Sequence, residues 1–209
     1  MKTITLGIFF TLTLSAASAQ SQAETFIKEA QQYLAEKNYQ QAQLSLQDAI
    51  NDINNIIAMQ IGEALPVEIN GLKADEAASV NSGAMGMIGG GMSISKNYTN
   101  SAKKENQAEV QILANSPMLA SINMFMSNPA MLGEGYKSVR VGTRRAILKS
   151  EIDDYYNDGA SKKIRSSELQ IPLSQTLITI NLKGFATEQE ELAFATKLDI
   201  DKLSALLGN

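Results

Sequence analysis

"SELQIPL" (residues 167–173) and "QTLITINLKGF" (residues 175–185) are the two neighbouring stretches that decide the fold of this protein. Through most of both, apolar side chains recur at every second position and β-branched residues are frequent. This pattern is typical of β-strands. Only Ser174 separates the two stretches. We therefore expect two consecutive strands that close a β-sheet.

Further strands are predicted on the N-terminal side of this pair, where short apolar or alternating runs repeat. They are MSISKNYT (92–99), AEVQILA (108–114), YKSVRVG (136–142) and RRAILKSEI (144–152). Asn157, Asp158 and Gly159 follow the last of these runs and are typical of a hairpin turn. Because strands joined by short turns pair antiparallel, we expect a mostly antiparallel sheet of about six strands.

Two helical regions with recognisable start signals accompany this sheet. Ser116 and Pro117 predict a helix that ends before Pro129, because proline suits the first turn of a helix and disfavours helix in the residue before it. Thr187 and Glu190 have the spacing of a capping box and predict a C-terminal helical region that packs on the sheet. The expected fold class is therefore α+β, with one inserted helix and C-terminal helices.

The N-terminal part of the chain is predicted to form a helical hairpin. Apolar residues recur at steps of three and four on both sides of a break at Lys37 and Asn38, and Gly62 and Pro66 end the helical region. The stretch AQQYLAEKNYQQAQLSLQDAI (30–50) resembles a single tetratricopeptide unit, without a second copy. We expect a signal peptide at residues 1–19, a helical hairpin at 20–64 and an α+β domain at 65–209.

The first residues have the features of an export signal. Lys2 precedes the almost wholly apolar run ITLGIFFTLTL (4–14), and Ala17, Ser18 and Ala19 supply the small residues of a cleavage site. Polar sequence begins at Gln20, too soon for a membrane-spanning helix of about 20 apolar residues. We therefore expect an exported protein, periplasmic or extracellular, that does not span a membrane.

Composition argues against several classes of function. The chain contains no cysteine and no histidine, which removes disulfides, the usual zinc ligands and the commonest general base. A net charge of −4 argues against nucleic-acid binding. We expect no cofactor and no enzymatic activity. The alternative left open is a cell-envelope hydrolase that uses carboxylates or Tyr and Lys.

Residues 137–165 are the most basic stretch of the chain. An anionic envelope surface is one candidate partner for it, and a solvated outer face of the sheet is the other interpretation. The residues proposed for the envelope contact are Arg140, Arg144, Arg145, Lys162 and Lys163.

Methionine is concentrated in the glycine-rich stretch GAMGMIGGGM (83–92) and in the helix predicted after Ser116. Flexible thioethers adapt to varied shapes, and exposed apolar surface often marks an interaction site. We therefore predict a binding or accessory protein that engages an unknown protein or an apolar ligand. The predicted site residues are Met85, Met87, Met92, Met118, Met124, Phe125, Met126 and Met131. Two alternatives stay open: core packing of these methionines, and copper(I) binding by the pairs Met85/Met87 and Met124/Met126.

The C-terminal part of the chain resembles a family of uncharacterised exported bacterial proteins. The resemblance rests on the glycine-methionine stretch and on ALP (64–66), NGLKA (70–74), ANSPML (114–119), SNPAM (127–131), GTRRAI (142–147) and LITINLKGF (177–185). It implies export and a similar domain, and it implies no particular activity. The order of the predicted elements is also similar to that of the PsbP-like α/β/α sandwich.

Overall fold

The computed structural model describes residues 22–76, 78–81, 92–114, 116, 118–157 and 160–208. The predicted signal peptide, the site residues Met85 and Met87, and the turn residues Asp158 and Gly159 lie outside the described residues. The chain divides into two compact units, of which the first ends at Asp52 and the second begins at Ile53. The boundary predicted from the sequence lies 12 residues later, after residue 64.

The predicted helical hairpin is confirmed. It consists of α1 (Gln22–Ala35) and α2 (Tyr39–Ala64). Lys37 in the turn between them has a left-handed backbone, with φ of 58°. The side-chain oxygen of Asn38 accepts a hydrogen bond from the backbone N–H of Gln41 at 3.4 Å, which caps the start of α2.

Within the first unit, small residues form the buried surface of the hairpin. Its buried apolar residues are Ala23, Ala30, Ala42 and Ala49. Larger apolar side chains that recur at the helical spacing are more exposed. Leu34 and Leu46, for example, are 48% and 44% exposed. The backbone N–H of Ala23 donates to the Asp52 carboxylate at 2.8 Å, so an acidic side chain binds one of the free donors at the start of α1.

The second unit contains an antiparallel sheet. Its strands are β1 (Glu68–Ile69), β2 (Leu72–Ala74), β3 (Ser79–Asn81), β4 (Ser93–Thr99), β5 (Gln107–Ala114), β6 (Tyr136–Val141), β7 (Arg144–Asn157), β8 (Ala160–Pro172) and β9 (Thr176–Lys183). They are ordered β1-β2-β4-β5-β9-β8-β7-β6, and β3 pairs with β4. Residues 167–173 and 175–185 therefore fall largely on the paired strands β8 and β9 in the middle of the sheet.

The α+β class and the antiparallel pairing are confirmed, but the described residues contain nine strands and not about six. The difference comes from β1, β2 and β3, which have two or three residues each. Such segments are too short to show a period of two. The predicted hairpin after β7 is present, with Asn157 opposite Ala160 in the β7–β8 ladder.

Helices pack on both faces of this sheet. The inserted helix is α3 (Leu119–Ser127), followed by a 3₁₀ turn (Pro129–Met131), and the C-terminal helices are α4 (Glu188–Thr196) and α5 (Ile200–Leu206). As the capping box predicts, the Thr187 side chain accepts from the N–H of Glu190 at 3.2 Å. Within the described residues, every helix is too short or too polar to cross a membrane.

The two sheet faces form two separate apolar clusters. Leu148 belongs to the main core with Phe194 of α4, Leu203 of α5 and Ile61 near the end of α2. Ile147, the residue before Leu148 in β7, belongs to a small cluster with Ile122 of α3 and Leu177 of β9. Successive residues of a strand point to opposite faces. The main core therefore lies on the α4 and α5 side, and α3 covers part of the other side.

Candidate ligand-binding groove

The helix α3 begins two residues later than predicted. Its N-cap residue is Met118, whose side chain forms no capping hydrogen bond. The hydroxyl of Ser116 accepts a hydrogen bond from the N–H of Met118 at 3.3 Å. The helix ends at Ser127, before Pro129, as the sequence predicts. The N–H of Asn128 donates to the carbonyl of Met124 at 3.0 Å, and the chain then turns towards β6.

Burial of one side of α3 anchors the helix on the sheet. Ile122 is 3% exposed and packs with Ile147 and Leu177. Partly buried apolar residues surround this contact: Leu113, Leu119, Phe125, Met126 and Leu132. The helix is therefore held at one place on the sheet by its inner face, while its margin remains open to solvent.

A groove of about 270 Å³ lies between α3, the 3₁₀ turn and the sheet. Its apolar lining comes from Met118, Ile122, Phe125, Met131, Leu132 and Ile147. Ser121, Tyr136 and Gln170 add polar atoms to the lining. Mostly apolar walls with a few polar groups are the usual composition of small-molecule sites, whose volumes are roughly 300–1,000 Å³. The volume of the groove is slightly below the lower limit of that range.

At the end of the groove where Tyr136 lies, the positive charge of Lys149 is balanced by nearby carboxylates. The Lys149 ammonium lies 5.8 Å from the centre of the Tyr136 ring and 3.4 Å from a carboxylate oxygen of Glu151. The hydrogen bond and the charge of Glu151 raise the pKa of Lys149 above its usual value. Lys149 is also directly opposite Glu168 in the β7–β8 ladder. This end of the groove therefore has no uncompensated positive charge from Lys149.

The structure brings three of the predicted site residues into the groove: Met118, Phe125 and Met131. Met92 instead lies in the main core and is 4% exposed. Met124 is 49% exposed but does not line the groove, and Met126 packs beside the small cluster. The predicted set thus combines methionines that the fold distributes over both faces of the sheet.

Most of the predicted basic contact residues have acidic partners. Arg144 pairs with Asp201 at 2.8 Å, Lys162 with Glu105 at 2.7 Å and Lys163 with Asp154 at 3.0 Å. Hydrogen bonds from Lys162 and Lys163 lower the pKa of Glu105 and of Asp154. Among the described residues, Arg140 and Arg145 form no ion pair. The envelope contact therefore stays a prediction, and its paired members are partly neutralised.

Two carboxylates on the α3 side of the sheet are held by amide side chains. Glu109 accepts hydrogen bonds from Gln111 at 2.7 Å and from Asn181 at 3.3 Å, and Glu168 accepts one from Gln170. Asn181 of β9 is opposite Glu109 of β5 on one side and Glu168 of β8 on the other. The Asn181–Glu109 hydrogen bond joins β9 to β5, whereas Gln170 and Glu168 both lie in β8.

Sequence reasoning missed a buried polar cluster between α4 and the sheet. Glu191 of α4 is fully buried, and its Oε1 accepts from the Arg165 guanidinium at 2.8 Å and from the Ser167 hydroxyl at 2.6 Å. Arg165 also donates to the hydroxyl of Ser150 at 2.7 Å. Arg165 and Ser167 stand two residues apart in β8, on the face that continues to the core residue Leu169. Both residues precede Leu169 at steps of two in the sequence. That alternation could have shown that their side chains point to the core face.

Comparison of the chain with models of known protein families, with curated proteins and with solved structures gives no match. The resemblances to exported bacterial proteins, to the PsbP-like sandwich and to a tetratricopeptide unit therefore stay predictions.

Proposed function

We propose that this protein is an exported, non-enzymatic binding protein that holds an apolar ligand in the groove beside α3. The export part of the proposal rests on residues 1–19. It predicts that the exported chain begins at Gln20, and an N-terminal sequence that retains residues 1–19 would contradict it. The binding part rests on the apolar lining of the groove.

The observation that carries the binding proposal is the open apolar surface at the groove margin. Met118 and Met131 both line the groove, and they are 50% and 51% exposed. A ligand that covers them gains roughly 25 cal/mol for each Å² of apolar surface removed from water. Their unbranched thioether side chains can adjust to the shape of an apolar chain or ring.

The floor of the groove gives such a ligand a fixed support. Ile122 and Ile147 are 3% and 2% exposed, and both belong to the cluster that anchors α3 on the sheet. Because the floor and most of the walls are apolar, the groove favours a small apolar group over a polar one. Gln170 and Ser121 at the lining supply hydrogen-bonding atoms that can orient a ligand through a polar group attached to its apolar part.

Binding of the neutral fluorophore N-phenyl-1-naphthylamine tests this function. Replacing Met118 or Met131 by Gln keeps the side-chain length but removes apolar contact. We expect each change to weaken probe binding by about fivefold, in line with a loss of about 1 kcal/mol.

Met124→Gln is the matched control, because Met124 is equally exposed on the same helix but does not line the groove. We expect this variant to bind the probe as the unmodified protein does. Absence of saturable binding, or an equal effect of Met124→Gln and Met118→Gln, would refute the groove as the binding site.

A further inference from the structure

We infer that the ligand of the groove is a single-chain amphiphile whose head is an anionic carboxylate, bound by Arg145 and Arg140. This inference rests on the proposed function and specifies the chemistry of its ligand. It starts from the position of the two arginines on the sheet.

Arg145 stands two residues before the groove residue Ile147 in β7, and Arg140 is directly opposite Arg145 in the β6–β7 ladder. Residues two apart on a strand share a face and are separated by about 7 Å. Arg145 therefore lies on the α3 side of the sheet, next to the floor of the groove. The neighbouring Arg144 points to the opposite side, where it pairs with Asp201 of α5 at 2.8 Å.

The pair of arginines is an unfavourable arrangement in the protein alone. Like charges that are directly opposite on paired strands repel each other. Both side chains are exposed, and within the described part of the chain neither forms an ion pair. Arg140 donates to the backbone carbonyl of Thr143 at 3.2 Å, which holds its guanidinium at this end of the hairpin without neutralising it. An anion near both groups would relieve the repulsion.

The two ends of the β6–β7 pair therefore differ in charge. At the Tyr136 end, Lys149 is paired with Glu151 and lies opposite Glu168. At the other end, the two guanidinium groups form no ion pair with any residue that the structure describes. A guanidinium matches the planar geometry of a carboxylate and can bind it through two hydrogen bonds. The charge pattern thus places the head at the arginine end and the apolar chain along the groove.

The size of the groove limits the apolar part of the ligand. A volume of about 270 Å³ is below the usual range of roughly 300–1,000 Å³ for small-molecule sites. It suits part of one hydrocarbon chain better than a two-chain lipid. We therefore assign the site to a free single-chain carboxylate.

Three probes with the same ten-carbon chain test this assignment: decanoate, decanol and decyltrimethylammonium. Their binding is measured by calorimetry at low salt, below the concentration at which they form micelles. We expect decanoate to bind about fivefold more tightly than decanol and decyltrimethylammonium to bind most weakly. Added salt should reduce the preference for decanoate, because it screens exposed charges.

Variants of the arginines then locate the head group. Arg145→Gln and Arg140→Gln should each weaken decanoate binding by about threefold and leave decanol binding unchanged. Arg145→Lys keeps the charge and should retain part of the preference. Lys202→Gln on α5 removes the same charge from an exposed site on the other side of the sheet, and we expect it to have no effect.

The outcomes separate this inference from the proposed function. The inferred anionic head group is wrong if the three probes bind equally well, or if Arg145→Gln leaves the preference for decanoate unchanged. In either case the proposed binding of an apolar ligand in the groove is still supported. If no probe binds, both are wrong. Arginine-dependent binding to anionic lipid vesicles that decanoate does not compete with would assign the arginines to a membrane surface and overturn the free amphiphile.

Discussion

Tyr98 shows how much one residue of this fold depends on its surroundings. It lies in β4 and is fully buried, with its hydroxyl donating to the backbone carbonyl of Pro66 at 2.9 Å. Its ring meets that of Phe194 edge to face, at a distance of 5.4 Å between ring centres. Burial raises the pKa of Tyr98 from its ordinary value of 10.0 to about 12. The folded protein thus keeps this phenol neutral at a pH where the unfolded chain ionises it.

Tyr98 should make the protein less stable in alkali. Because its pKa is higher in the folded state, its stabilising effect is fully present below about pH 10 and is lost as the pH rises through about 12. We expect the free energy of unfolding to fall by about 1 kcal/mol between pH 9 and pH 11 on its account. Urea denaturation at several pH values measures this slope.

Tyr98→Phe should lack that part of the slope, although the variant loses about 1 kcal/mol at neutral pH with the hydrogen bond to Pro66. Tyr136→Phe serves as the control, because Tyr136 is 41% exposed. Equal alkaline slopes for Tyr98→Phe and the unmodified protein would show that Tyr98 does not titrate as its burial requires.

At the scale of elements, the helix α4 is joined to the sheet by a buried ion pair as well as by apolar packing. Glu191 receives hydrogen bonds from Arg165 and Ser167 of β8. Its other carboxylate oxygen is buried and has no hydrogen-bond partner among the described residues. Loss of the arginine would therefore leave a buried charge with little compensation.

Arg165→Met should destabilise the protein by about 3 kcal/mol, because it removes the partner of a fully buried carboxylate. Lys163→Met, two residues earlier in the same strand, breaks the exposed pair with Asp154 and should cost less than about 1 kcal/mol. Chemical denaturation of the two variants compares these costs. Replacing Glu191 by Leu in the Arg165→Met variant should restore most of the stability. A cost for Arg165→Met no larger than that for Lys163→Met would contradict the buried ion pair.

At the scale of the whole molecule, the division into units passes through the helix α2. Ala58 and Ile61 of α2 are 1% and 0% exposed and belong to the main core of the second unit. The sequence-based boundary after residue 64 would remove them from that core. The end of α2 therefore belongs to the same compact unit as the sheet.

Two truncations test this division. A fragment of residues 53–209 should unfold cooperatively, because it retains the whole second unit. A fragment of residues 65–209 loses Ile61 from the core and should be less stable by about 3 kcal/mol or more. Thermal and urea unfolding of the two fragments measure the difference. Equal stability of the two fragments would support the boundary predicted from the sequence.

Local patterns predicted most of the elements. The alternation in residues 167–185 identified β8 and β9, and Thr187 with Glu190 located the start of α4. The short strands β1, β2 and β3 escaped prediction because two or three residues do not establish a period. For the candidate site, Met118, Phe125 and Met131 were predicted, whereas Ile147 and Gln170 were not. The last two come from distant strands that the sheet order brings under α3.

Patterns among neighbouring residues are sufficient to predict the α+β class, the helical hairpin, the cap of α4 and the alternation of the longer strands. Which face of the sheet each side chain joins, and which distant residues meet, depends on how the strands pair. Gly184 illustrates the difference, since it has a left-handed φ of 69° and a side chain there would collide with the carbonyl of Glu105. Nothing in the local pattern LITINLKGF requires that contact. It exists because pairing of β5 with β9 brings these backbones together, and local periodicity contains no information about such pairing.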